Sequence, residues 1–260
     1  VLIGILYFAV IVVANSLGAV SGMGGGVLIK PVFDAIGVDT VAAISFYSAV
    51  AVFTMSLVST IKQVQHGVAL NFRKVAVIAL GALLGGYGGK EALTALLAAT
   101  SDHTALAVQI AVTILTLIFA LAYTRLQWSS WGLRHAGYFL LCGLLLGFFA
   151  SFLGIGGGPI NVSLLMLMFG MPIKDATVYS ICTIFFSQLS KLASLVLGGD
   201  LIGIDLSRLW FIIPAAIIGG YVGSLLSHLL SGEKVTLVFQ LMLLTVIVIN
   251  AYNGVMLLLG

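Results

Sequence analysis

Apolar runs of about 20 residues follow one another along the whole of this chain, and that pattern leaves few folds open. A helix of that length spans the ~30 Å hydrocarbon core of a bilayer. The composition agrees: of 260 residues, 61% are hydrophobic and only 7% are charged, against about 25% in a soluble domain. Such a chain cannot cover a globular surface with charge, so the expected fold is an all-α polytopic membrane protein. A transmembrane β-barrel needs short alternating segments with polar lumen positions, and the sequence has neither. The net charge of +3 is small and its basic residues are scattered, which leaves no electrostatic footprint for nucleic acid. Cys142 and Cys182 each lie inside an apolar run without metal or redox spacing and read as packing residues. Nothing in the sequence calls for a cofactor or a metal.

Two glycine clusters break the pattern. "SGMGGGVLIKP" (residues 21–31) and "LGIGGGPINVS" (153–163) each interrupt an apolar stretch. The segments fall at about 2–20, 27–37, 41–61, 75–98, 104–124, 135–153, 159–171, 175–197, 207–230 and 235–259. Six are long enough to cross alone; the other four pair up around the glycines. A continuous helix of about 36 residues would be about 54 Å long, well beyond the core. Each pair is therefore a full span plus a half-length piece, or one strongly bent element. Counting each pair as one crossing gives about eight crossings. Residues 1–19 lead straight into the first glycine cluster, so they read as part of the fold.

The two halves resemble each other. An offset of 132 carries Gly22, Gly24, Gly25 and Gly26 onto Gly154, Gly156, Gly157 and Gly158. The same offset carries Tyr47–Ser48 onto Tyr179–Ser180, Phe53 onto Phe185, Leu57 onto Leu189 and Gly67 onto Gly199. At an offset of 134, "GGYGG" from Gly85 meets "GGYVG" from Gly219. This order of landmarks marks an internal duplication: a first transmembrane repeat at 1–124, a central loop at 125–134 and a second repeat at 135–260. Repeats with interrupted helices in corresponding positions point to the binding site of a secondary transporter.

With eight crossings, one side receives Lys62, Arg73, Lys74, Arg125, Arg134 and Arg208. The other receives Lys30, Lys174 and Lys234, with Lys90 at a helix end. The positive-inside rule then places the 62–74 loop, the 124–134 loop and both termini in the cytoplasm. An odd number of crossings per half would invert the repeats and void this placement.

In hydrocarbon, irregular backbone survives only where it is buried in protein or lines a watery cavity. A "GxGGG" stretch frees N–H groups from the helix ladder, and without a Cβ a ligand approaches them closely. Successive free N–H groups make a nest for an anion, and the half-helix that follows adds the positive end of its dipole. Gly24, Gly25, Gly26, Gly156, Gly157 and Gly158 are therefore candidate anion contacts, while "GGYGG" and "GGYVG" read as helix-packing motifs. Pro159 suits the first turn of a new helix, and Asn161 follows as a candidate to complete that site. Within 177–191, Thr177, Ser180, Ser187 and Lys191 share one helical face, with Gln188 beside them; Ser48 is the counterpart of Ser180. Lys191, an ionisable group inside a membrane segment, is a candidate to attract an anion or carry a proton, with snorkelling to an interface as the plainer alternative. Lys62 and His66 read as interfacial.

These motifs also resemble a known family. "GMGGGVLIKP" and "GIGGGPINVS", each followed by a polar-flecked helix containing "YS", together with "QHGVALNFRK" and the "GGYGG"/"GGYVG" elements, look like the sulfite exporter TauE/SafE family, also called the toluene sulfonate uptake permease family. The resemblance covers nearly the whole chain. It implies a multi-pass transporter in the bacterial inner (cytoplasmic) membrane, moving a small sulfur-containing or organic anion of the sulfite, sulfonate or sulfoacetate type. It does not imply a direction. Pro31 matches the proline that follows the glycines in the family motif, whereas Ser163 stands at the corresponding place in the second half, so the two halves are not equivalent. The partners expected are a small anionic substrate and the lipid bilayer, with a coupling proton as a candidate third; the glycine-rich faces leave a homodimer open.

Other readings are a passive anion channel, in which the glycine nests act as a selectivity element, and a transporter of a non-sulfur carboxylate. An intramembrane enzyme is disfavoured: there is no "HExxH" or "GxSxG" motif, and Asp34, Asp39, Asp102, Asp175, Asp200 and Asp205 fall at or near segment ends.

Overall fold

The computed structural model describes residues 2–65, 71–126, 128–155, 158–199 and 203–259. Gly156 and Gly157, and with them His66, Gly67 and Asp200, lie outside the described residues. The described chain forms α1 (Leu2–Ser21), α2 (Gly26–Ile36), α3 (Val41–Gln65), α4 (Phe72–Ala99), α5 (Asp102–Leu126), α6 (Ala136–Phe152), α7 (Pro159–Phe169), α8 (Ile173–Gly198), α9 (Leu209–Leu229) and α10 (Gly232–Leu259), with a 3-10 turn at Leu206–Arg208 before α9. These bounds follow the apolar segments of the sequence to within a few residues. By length and composition, α1, α3, α5, α8, α9 with its leading turn and α10 are apolar enough to cross a membrane. The protein is an all-α, multi-pass membrane protein.

The glycine clusters make hairpins. Gly18 of α1 backs directly onto Gly24 and Gly25, and Gly25 backs onto Asn15. Further along, Phe33 of α2 stacks on Tyr7 of α1 at 3.7 Å. Helix α2 therefore runs back along α1 and returns the chain to the level of Tyr7, whose hydroxyl donates to Asp39 just before α3. Gly22 and Gly24 take left-handed φ values of 74° and 79°, which a Cβ would disfavour. Helices α6 and α7 fold back in the same way, with Phe139 stacked on Phe169 at 4.0 Å. Each pair leaves by the face it enters and makes no net crossing. Between the hairpins, α3, α4 and α5, and then α8, α9 and α10, run back and forth; the count of about eight crossings is not confirmed by the six helices apolar enough to span.

The halves run in opposite senses. Along α3 and α8, Ser45 meets Lys191, Phe53 stacks on Phe185 and Thr60 meets Cys182, so the two helices are antiparallel. The packing repeats itself across this axis: α4 lies on α6 as α9 lies on α1. Gly81, Gly85 and Gly89 of α4 back onto the carbonyls of Leu140, Leu144 and Phe148, and Gly219 and Gly223 of α9 onto those of Val12 and Ser16. In lipid, where no hydrophobic effect drives helices together, such close backbone approach supplies the packing energy.

Inversion redistributes the charges. One face collects Lys62, Arg73, Lys74, Arg125, Arg134, Lys174 and Lys234. The other carries Asp39, Asp102, Asp205, Arg208 and the ends of α1 and α10, where His103 Nε2 lies 2.8 Å from the Leu257 carbonyl. The positive-inside rule assigns the first face to the cytoplasm. The 62–74 and 124–134 loops stay there, but the chain ends and Arg208 move to the opposite side and Lys174 and Lys234 change places with them. This corrects the placement built on an even number of crossings per half.

Candidate functional site

The two hairpin turns meet between α3 and α8. A Cβ on Gly26 would strike the carbonyl oxygen of Ile155, and the Ser48 hydroxyl lies against the same position. Gly154 of the second turn, at φ 68°, sits against Ser45 and the Lys30 side chain. The Lys191 ammonium donates to the Ser45 hydroxyl at 2.7 Å. Elements of both halves thus converge: Lys30 from α2, Ser45 and Ser48 from α3, Gly154 from the second turn and Lys191 from α8.

Lys191 is only 2% exposed, so it does not snorkel to an interface. Lys30 is buried too, but pairs with Asp34 one turn on, at 2.8 Å. The only hydrogen bond of the Lys191 ammonium among the described residues goes to a neutral hydroxyl. With both lysines protonated, Lys30, Asp34 and Lys191 leave one uncompensated positive charge inside the protein. A buried charge without a counter-charge is costly. The surroundings add polar atoms that have no hydrogen-bond partner among the described residues: Ser48 Oγ, Gln188 Oε1, and both Oδ1 and Nδ2 of the fully buried Asn161.

A cavity of about 210 Å³ opens beside this cluster. Ser45, Lys90, Thr94 and Lys191 provide its polar lining, and Phe46, Leu93 and Leu195 are among its apolar walls. It lies toward the face of the chain ends, between α3, α4 and α8. Its volume falls below the ~300 Å³ at which pockets for drug-sized ligands begin, which suits a small ion.

The glycines divide into different roles. Gly24 donates its N–H to Gly18 O at 3.3 Å, and Gly25 O accepts from Leu28 and Ile29 at 3.0 Å each, so part of the first cluster is engaged in its own turn. Gly158 is buried and extended before Pro159, and Asn161 donates to its carbonyl. The Ser180 hydroxyl donates to Gly22 O, which makes it a tie between α8 and the first turn. Gln188 donates to Ser187 and lies one helical turn before Lys191. Ser45, Lys30 and Lys90 were not singled out as ligands by the sequence. Lys30 carried a usable signal, since it lies inside the glycine-motif decapeptide; the pairing of Ser45 with Lys191 joins residues 146 apart and has no local signature.

On the face of the chain ends, Arg208 pairs with Asp39 at 3.0 Å and Asp205 at 3.5 Å, and covers the Tyr7 ring at 5.3 Å. Tyr47 donates to the Asp205 carbonyl at 2.9 Å. The Ser207 hydroxyl and N–H hold the Asp205 carboxyl below its ordinary pKa. This cluster fastens the start of α9 to the α2–α3 corner.

Helices of opposite sense, broken helices that meet in the interior and a buried cation beside a small cavity belong to a multi-pass membrane protein. The model of the sulfite exporter TauE/SafE family matches residues 7–250. The chain belongs to that family. It is 25% identical over 111 residues to the probable membrane transporter protein YunE of Bacillus subtilis (strain 168), a match that spans 43% of this chain and 40% of that relative. No solved structure gives a significant match.

Proposed function

We propose that this protein is a secondary transporter that moves a small sulfur-containing or organic anion, of the sulfite, sulfonate or sulfoacetate type, across the bacterial inner membrane. The observation that carries this is the buried Lys191 ammonium, which among the described residues donates only to Ser45 and which faces a small cavity. A mono- or dianion beside it supplies the missing counter-charge, with Ser45 and Ser48 as hydroxyl donors and the N-terminus of α2 as a source of positive potential. Asn161 and Gln188 offer further donors within the same buried zone. The family name supports sulfite as the first substrate to try, without choosing a direction of transport.

The two repeats, 1–124 and 135–260 about the 125–134 loop, act as the moving halves. The Tyr7–Asp39–Arg208–Asp205 cluster bolts one face, and alternating access requires it to open. Lys191 is also the candidate carrier of a coupling proton, as the buried ionisable side chain of α8 beside this cavity.

The experiment is uptake of labelled sulfite into proteoliposomes with and without a pH gradient, for wild type, Lys191→Met and Lys191→Arg. Accumulation above the external concentration by wild type, abolished in Lys191→Met, supports a coupled transporter. Equilibration without accumulation favours a passive channel built on the same glycines. Transport of simple carboxylates but not of sulfite would replace the substrate class.

A further inference from the structure

The basic face carries a second, wider hollow, lined by residues other than those of the Lys191 cluster. It consists of two adjoining cavities of about 430 and 460 Å³ that share Lys74, Arg134 and Phe139. Arg73 and His135 line the first. Its position is the mirror of the Arg208 cluster. Offsets of 132 and 134 carry Tyr7 onto Phe139 and convert Arg208 back into Lys74. The geometry is the same: Lys74 lies over the Phe139 ring at 5.4 Å, and that ring stacks on Phe169, as Arg208 lies over Tyr7 stacked on Phe33.

The acids are what differ. The same offsets put Met171 in place of Asp39 and Asn71 in place of Asp205. Where the Arg208 cluster has one cation and two carboxylates, the lining of this hollow has, among the described residues, three cations, Arg73, Lys74 and Arg134, and no carboxylate. None of the three forms an ion pair among the described residues. The N-termini of α4 and α6 also open here, capped by Asn71 and His135, which accept from the N–H groups of Lys74 and Gly137. Both helix dipoles therefore favour an anion at this place.

The rim is apolar. Phe72, beside Arg73, is 77% exposed, and Tyr138, whose ring meets His135 edge-on, is 44% exposed. Exposed aromatic rings at a membrane interface belong with lipid headgroups, and basic pockets at the cytoplasmic ends of membrane helices suit phosphate-bearing lipids. We propose that the Arg73–Lys74–Arg134 hollow binds the phosphate of an anionic phospholipid headgroup on the cytoplasmic leaflet, with the acyl chains against Phe72 and Tyr138.

The test uses the full chain in nanodiscs of phosphatidylcholine alone or with one-fifth phosphatidylglycerol, read by thermal unfolding and by native mass spectrometry of retained lipid. Wild type should melt a few degrees higher with phosphatidylglycerol and retain about one such lipid per chain. Arg73→Gln/Arg134→Gln should melt alike in both discs and retain it at least tenfold less. Arg125→Gln/Lys234→Gln, which removes two charges from the same face outside the hollow, should behave as wild type. Equal loss in both double variants would mean a general surface-charge effect and overturn the site. Stabilisation of wild type in neutral discs by millimolar inorganic phosphate, erased by Arg73→Gln/Arg134→Gln, would assign the hollow to free oxyanions and overturn the lipid.

Discussion

At the scale of single residues, the buried cation and the glycine contacts carry the sharpest expectations. Replacing Lys191 by Met removes a charged donor from the anion. Hydrogen bonds to charged groups are worth about 1.5–3 kcal/mol, so sulfite affinity should fall by roughly 10- to 100-fold, measured by the ligand-dependent rise of the melting temperature. The variant itself should fold at least as well as wild type, since an uncompensated buried charge is gone. Unchanged sulfite stabilisation in Lys191→Met would remove the lysine from the site. The Arg208 bolt predicts coupling: Asp39→Asn and Arg208→Gln should each lower stability, and the double variant should lose less than the two together. Strict additivity would mean that the pair at 3.0 Å contributes nothing. The sequence exposed Lys191 because an ionisable residue in an apolar run is conspicuous. It did not expose the Lys30–Gly154–Ser45–Lys191 convergence, because those residues come from three helices and a turn in both halves.

At the scale of elements, the helices were legible and their directions were not. Apolar runs and glycine breaks fix where helices begin and end, so α2 and α7 could be read as half-length pieces. That α2 turns back along α1 depends on the Tyr7–Phe33 stack and on Gly25 reaching Asn15, contacts that no local periodicity encodes. The α4 glycines give an internally controlled prediction. Gly85→Ala and Gly89→Ala drive a Cβ into the Leu144 and Phe148 carbonyls of α6, whereas the same change at Gly88 meets nothing closer than Phe148 at 3.9 Å. The first two should cost about 1–3 kcal/mol or more from overpacking. Gly88→Ala should gain up to about 1 kcal/mol from helix propensity. Comparable unfolding midpoints for all three variants would contradict the packing of α4 on α6.

At the scale of the whole molecule, inversion of the halves determines which loops share a side. Single cysteines at Ser129 and Asp175, in a background lacking Cys142 and Cys182, should both react with a membrane-impermeant maleimide from the cytoplasm. Cysteines at Ser101 and Leu206 should react only from the other side. Labelling of Asp175→Cys and Ser129→Cys from opposite sides would restore halves of parallel sense. The repeated glycines predict a duplication but not its handedness: offsets along a chain are the same whether the second copy is upright or inverted. Only α3 crossing α8 antiparallel separates the two.

The contact of Gly26 with the Ile155 carbonyl also sets an order of events during biosynthesis. A ribosome adding 5–20 residues per second reaches Ile155 roughly 6–26 s after Gly26. For that interval the first hairpin is in or at the membrane with its glycine turn uncovered, since the segment that seals it does not yet exist. Backbone polar groups cannot stay bare in lipid, so the nascent first half must be sheltered by the insertion machinery or wait at the interface. Chains arrested on the ribosome before residue 155 should therefore expose a cysteine placed at Met23 to an aqueous label, and chains arrested well after α8 should protect it. Equal protection at both lengths would show that the first half completes its own core.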